Sequence, residues 1–418
     1  MCDEASSRTR SYEGVGGREM TQGAGEQAGR ATHHEEEMPR VVITRRQAIA
    51  FGVFVLTVVG FLYFVLPKLA GVGTTLHHLE NGDGWWIASG VVLELLSFAG
   101  YVVVFRAVFV TTKTGPSGVP DRNGLPPEPG PIGWRESYQI TMAGLAATRL
   151  FATAGAGGVA LTAWALRRSG MEARLVACRM VAFMVLLYAV YAGSVLIVGL
   201  GLGTGLFPGG GSFALTIVPA IVAAILMTVV GAMALLPGDI ERRLHRWASG
   251  SGRLAHWVAR AVTVPALAAS GVRTAIELIR ERDPGLLGAV AWWGFDICVL
   301  WAMFHAFGSP GGAVPPLTVI WMSYFIGMLG NLLPLPGGLG GVEGGMIGAF
   351  VAFGVNLDLA VLAVLSYRAI AFWLPTVPGA IAYFQLRRTV ARWREQQSGQ
   401  PAPSTQGAAV EAASVARA

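Results

Sequence analysis

Apolar residues in this chain come in long unbroken blocks, without the strict alternation of a half-buried strand. Six segments, roughly 47–67, 85–111, 174–200, 213–236, 286–307 and 359–384, are apolar for about 20 residues or more, the length an α-helix needs to cross a bilayer core. Two further regions are apolar but interrupted. Residues 137–166 are broken by "TAGAGGV" (Thr153 to Val159), and residues 316–356 by "NLLPLPGGLGGVEGG" (Asn331 to Gly345). The arms of the first are too short to cross as helices and those of the second are borderline. The pattern predicts an all-α polytopic membrane protein with about six full spans and two broken re-entrant hairpins, each made of two half-helices that meet inside the membrane.

The ends of the chain read differently. Residues 1–44 and 395–418 are polar and low in apolar content, so both are expected to be disordered tails. Between them, 45–394 reads as one transmembrane domain. No short apolar core with a small-residue cleavage site stands near Met1, so no cleaved signal is expected. Composition agrees: 53% of residues are hydrophobic and 13% charged, where soluble domains carry roughly a quarter charged. The net charge of +6 does not point to nucleic acid, because the arginines cluster just outside the apolar runs, where they orient spans. Cys2, Cys178 and Cys298 show no paired framework or CxxC spacing that would point to disulfides or zinc.

The arginines set the expected topology. Arg40, Arg45 and Arg46 precede the first apolar run, and Lys113, Arg122 and Arg135 occupy 112–135. Arg167, Arg168 and Arg174 follow the first broken region, and Arg387, Arg388, Arg392 and Arg394 follow the last run. The segments 68–84, 201–212 and 308–315 hold a single lysine and no arginine. Placing the basic segments inside puts both termini in the cytoplasm of a plasma-membrane (cell inner membrane) protein. It also requires each broken region to return to the side it entered, as a re-entrant hairpin or two short spans would, and makes the halves, about 45–204 and 213–390, read span, span, hairpin, span in opposite orientations. That is an inverted-topology repeat, an arrangement of many transporters. Gly155-Ala-Gly-Gly-Val159 echoes Gly338-Leu-Gly-Gly-Val342, and "ACRMVAF" around Arg179 echoes "SYRAIAF" around Arg368. Residues 237–285 interleave Leu244, Trp247, Leu254, Trp257 and Val258 with eight arginines. They predict one or two amphipathic helices on the cytoplasmic surface, with contact to anionic lipid as the sharper reading.

The breaks carry the candidate chemistry. Pro334 and Pro336 cannot donate a backbone hydrogen bond, and irregular backbone at membrane depth must line a cavity or be buried in protein. A half-helix starting after each glycine run, at Gly155, Gly157 and Gly158 or at Gly337, Gly338 and Gly340, offers free N–H groups to an anion such as a lipid phosphate. Close helix packing explains the same glycines equally well. Ionisable residues inside apolar runs are costly and are functional candidates by default: Glu343, Arg368, Arg149 and Arg179 foremost, then Asp296 and Glu94. Glu343 also reads as a helix N-terminal cap, and Arg368 as its partner or as a phosphate contact. Arg106 reads as snorkelling and His305 as a polar anchor. The spacing of His77, His78, Glu80 and Asp83 fits no standard metal site. No HExxH, Walker A or GxSxG sequence is present, so neither an enzyme nor a cofactor is expected.

"NLLPLPGGLGGVEGG" followed by "SYRAIAFWLPTVPG" (Ser366 to Gly379) resembles the lysylphosphatidylglycerol synthase transmembrane-region family, the flippase-like membrane portion of the multiple peptide resistance factor. The resemblance covers most of 45–390, with its specific motifs in 331–379. It implies a lipid translocase without the soluble transferase domain of two-domain members. By motif it carries over Asn331, Pro334, Pro336, Gly337, Gly338, Gly340, Glu343, Arg368 and Trp373 as substrate-binding residues. The first broken region departs from the family pattern: "TRLFATAGAGG" has Arg149 near the position where relatives tend to have Asn. The implied partner is an anionic phospholipid or lipid-linked intermediate. The alternative is a non-transporting accessory protein that holds a cell-envelope biosynthesis enzyme near its lipid through 237–285; an ion-coupled carrier of a small solute is a third option, by fold analogy alone.

Overall fold

The computed structural model describes residues 82–110, 132–150, 156–235, 253–308, 314–333 and 338–398. Every element among them is helical: α1 (Gly84–Phe109), α2 (Trp134–Leu150), α3 (Ala156–Arg168), α4 (Ala173–Gly203), α5 (Phe213–Ala234), α6 (Arg253–Arg280), α7 (Leu287–Phe307), α8 (Leu317–Met328), α9 (Gly341–Ala352), α10 (Leu357–Arg368) and α11 (Leu374–Ser398). Among the described residues, five helical stretches are long and apolar enough to cross a membrane: Gly84–Phe109, Ala173–Gly203, Phe213–Ala234, Pro284–Phe307 and Leu357–Glu395. The chain is therefore an all-α polytopic membrane protein. Four of the six expected spans are found within a few residues, and a fifth, expected at 359–384, runs on to Glu395; the sixth, 47–67, lies outside the described residues. The spans are apolar around their whole circumference, as helices bathed in lipid must be. Ile221, Val222, Ile225, Leu226 and Val229 of α5 all face outward.

At the centre α1 runs against α7 with their backbones in contact. A Cβ on Gly100 would lie 2.9 Å from the Gly288 carbonyl, and one on Gly288 2.4 Å from the Gly100 carbonyl. In lipid, association of helices depends on such close packing, because burial from water contributes nothing. Around this pair lie two apolar cores. One gathers Ile297, Leu300 and Phe304 of α7 with Tyr324 and Phe325 of α8 and Phe350 of α9. The other gathers Phe105 of α1, Ile140 of α2, Leu166 of α3, Phe183 of α4 and Leu386 of α11.

Both broken regions form two helices that fold back on each other. Between α2 and α3, a Cβ on Gly158 would meet the Gly144 carbonyl at 2.5 Å and Thr148 Oγ1 at 2.1 Å. Between α8, which continues through a 3-10 turn at Leu329–Leu332, and α9, a Cβ on Gly330 would lie 2.3 Å from the Gly341 backbone. The close-packing explanation thus holds for Gly158. Helix α10 passes without a break into α11 through a π turn, Ala369–Trp373.

The described part of the basic segment includes one helix, α6, with one face packed against the bundle. Ala269, Val272, Ala275 and Leu278 are buried, and a Cβ on Gly271 would lie 2.4 Å from the Val181 side chain of α4. Small residues on one stripe let α6 dock on a span.

Candidate functional site

Helix α9 begins on Gly340, whose φ of +85° is open to glycine and strained for other residues. One turn in, Glu343 folds back on its own helix start. Its Oε2 accepts the Gly340 N–H at 2.7 Å, half of a capping box; a glycine has no side chain to return the bond. Its Oε1 accepts Arg368 Nε at 2.7 Å. Glu343 is 1% exposed and Arg368 8%, so the ion pair is buried. Both sequence readings of Glu343 are realised together, cap and arginine partner. The anion seat at this helix start is filled by the chain's own carboxylate.

A second set of charges adjoins the first. Asp296 of α7 accepts hydrogen bonds from two buried tyrosines. The Tyr324 hydroxyl of α8 donates to its Oδ2, and the Tyr367 hydroxyl of α10 lies 3.0 Å from Oδ2 and 3.2 Å from Oδ1. Glu94 of α1, 1% exposed, adjoins both Asp296 and Arg149, and its Oε2 has no hydrogen-bond partner. Arg149, in the last turn of α2, donates from Nη1 to the Phe372 carbonyl at 3.2 Å. That carbonyl lies in the π turn, a distortion often found at functional sites. The Phe372 ring stands between the two cations, 5.9 Å from the Arg149 guanidinium and 5.2 Å from that of Arg368. Five ionisable side chains from α1, α2, α7, α9 and α10 thus converge in the interior of a membrane protein.

The remaining sequence candidates fall around or away from this cluster. Gly338, with φ +66°, packs under Asn331: a Cβ there would lie 2.4 Å from Asn331 Oδ1. Asn331 itself is exposed and donates Nδ2 to Met328 Sδ at 3.3 Å. Trp373 is 40% exposed and its ring lies beside Phe372. Gly157 stands in the first turn of α3, half-buried. Arg179 is buried elsewhere. Its Nη1 donates to the Phe109 carbonyl at 3.1 Å, fifteen residues along α1 from Glu94, or about 22 Å of helix. Gly155, Pro334, Pro336 and Gly337 lie outside the described residues. The two tyrosines on Asp296 are residues that the sequence did not single out. Tyr367 precedes Arg368 directly, which is its only signal; Tyr324 has none, since a tyrosine in an apolar run reads as core.

A family model described as the lysylphosphatidylglycerol synthase TM region matches residues 47–379. The chain is similar to a UPF0104 membrane protein of Methanothermobacter thermautotrophicus, 35% identical over 113 residues, which is 27% of this chain and 31% of the relative. It is also similar to a UPF0104 membrane protein of Pyrococcus horikoshii, 32% identical over 109 residues, 26% of this chain and 32% of the relative. The matched stretches thus span about a third of the length of these curated relatives.

Proposed function

We propose that this chain, which belongs to the lysylphosphatidylglycerol synthase TM region family, moves an anionic lipid or a lipid-linked headgroup between the leaflets of the plasma membrane. The family ties the chain to membrane lipids, and its transmembrane region is the part without the synthase chemistry; translocation without catalysis is our reading. The observation that carries it is the Glu343–Arg368–Gly340 arrangement. A carboxylate held by a buried arginine and a helix-start N–H marks an anion seat with its own occupant. A phosphodiester offers the same chemistry and competes for the same donors. In this reading the two broken regions are re-entrant hairpins of an inverted repeat, both termini are cytoplasmic, and Glu343 leaves Arg368 when the headgroup enters. Arg149 and the glycines Gly157, Gly338 and Gly340 border the path, and Asn331, Trp373, Pro334, Pro336, Gly155 and Gly337 are assigned to it by motif. Arg179 is assigned to the path by its echo of Arg368, although its contact at Phe109 lies fifteen residues along α1 from Glu94.

Mass spectrometry of lipids co-purifying with wild type and with Arg368→Ala tests this directly. One anionic lipid enriched in the wild type and lost in the variant is the expected result. Bulk membrane lipid in both would overturn the seat and favour an accessory protein that organises an envelope enzyme. Purified protein in vesicles should by itself move that lipid.

A further inference from the structure

The Glu343–Arg368 pair accounts for one anion and one cation of the cluster. Glu94 faces Asp296 across the α1–α7 seam, where Ser97 donates to the Trp292 carbonyl and a Cβ on Gly90 would lie 3.6 Å from Val299, and Arg149 stands over the Phe98 ring one turn along α1. Two ionised carboxylates in contact cannot satisfy one another, because each only accepts hydrogen bonds. They also repel at a depth where the cost of charge is high. Asp296 already accepts from Tyr324 and Tyr367, which suits its ionised form. Glu94 Oε2 is buried without a hydrogen-bond partner, which suits a protonated carboxyl. The charges then close. Arg149 and Arg368 oppose Asp296 and Glu343, and a neutral Glu94 leaves the cluster without net charge. Among the described residues no three metal-ligating side chains converge, and two guanidiniums beside the pair disfavour a metal cation.

We propose that Glu94 and Asp296 share one proton at rest, carried by Glu94 and donated to the Asp296 carboxylate, and that uptake of a second proton by Asp296 is coupled to the movement of the lipid anion. The groups facing Glu94 are Asp296 from α7, Arg149 from α2, and Arg368 and Tyr367 from α10; Tyr324 from α8 and Glu343 from α9 complete the surrounding shell. A phosphodiester entering beside Arg368 adds one negative charge, and one further proton, taken by the Asp296 carboxylate, restores neutrality. The anion and the proton therefore travel in the same direction. The coupling rests on the translocation reading above; the proton itself does not.

Two measurements separate these. Infrared spectroscopy of the wild-type protein in lipid should show a protonated-carboxyl C=O band near neutral pH. The band should be lost in Glu94→Gln and shifted in Asp296→Asn; its absence from the wild type overturns the proton site, whether or not either variant folds. In vesicles with an entrapped pH dye and a trace of fluorescent phosphatidylglycerol, one proton per lipid predicts an equilibrium leaflet ratio that changes about tenfold per imposed pH unit, with matching proton flux. Asp296→Asn should lose both dependences. Lipid movement by the wild type without proton flux overturns the coupling. No lipid movement at all overturns the translocation reading and the coupling with it, while the infrared band still decides the proton.

Discussion

Replacing Glu343 separates two roles that the structure gives to one side chain. Its carboxylate pairs with Arg368 and closes the start of α9 on Gly340. Glu343→Gln keeps an oxygen that can accept the Gly340 N–H and removes the charge. Arg368 is then a buried cation without its carboxylate partner. Breaking a buried pair from one side costs about 3–5 kcal/mol, and little screening applies because the side chains are 9% and 1% exposed. The guanidinium can shift along its aliphatic stem, so the lower end, about 3 kcal/mol, is expected. Glu343→Ala also removes the cap, adding about 1 kcal/mol. Arg368→Ala leaves the carboxylate on Gly340 and at the positive end of the helix, where a charge is favoured, and should cost less than Glu343→Ala. Thermal or denaturant unfolding in detergent, followed by size-exclusion recovery, gives the order wild type, Arg368→Ala or Glu343→Gln, then Glu343→Ala. A double variant of Glu343 and Arg368 should cost less than the sum of the singles. Wild-type stability in Glu343→Gln, or strict additivity, would refute the buried pair.

Other consequences follow from the same geometry. Gly340→Ala meets open space but must hold φ +85°, so it should cost about 1–3 kcal/mol; wild-type unfolding would contradict the helix start drawn here. Gly330→Ala places a Cβ 2.3 Å from the Gly341 backbone and should force α8 and α9 apart, seen as loss of the monodisperse peak. Gly344→Ala, with nothing within 4 Å in the same helix, should be neutral or stabilising by up to about 1 kcal/mol, and is the internal control. Tyr367→Phe removes one hydroxyl from Asp296 and should destabilise by about 1.5–3 kcal/mol, as bonds to charged groups do. An unchanged unfolding midpoint would show that Tyr324 alone satisfies the carboxylate.

Much of the architecture was legible along the chain, because a span must be about 20 apolar residues whatever surrounds it. The block 85–111 became Gly84–Phe109, and 174–200 became Ala173–Gly203. The interruptions at Thr153 and Asn331 did separate helices. Local rules also served Glu343: a carboxylate in the first turn of a helix caps it, and the sequence offered Arg368 as its partner. The basic segment was less legible. Its arginines suggested a surface helix, but Ala269, Val272, Ala275 and Gly271 form a small-residue stripe whose meaning depends on a partner helix being present.

From the sequence alone followed the class of the protein, the places of its spans and breaks, and a short roster of costly charges. These are consequences of length, polarity and the price of an ion in hydrocarbon, which each segment meets by itself. Only the tertiary structure decided which charges meet. Arg149 reaches the Phe372 carbonyl across 223 residues, and Asp296 collects Tyr324 and Tyr367 from two other helices. Arg179, its motif a twin of the Arg368 motif, serves the end of α1 instead. Cost per residue is a local property, whereas compensation depends on distance, and distance between helices is set by where glycines such as Gly100 and Gly288 let backbones touch.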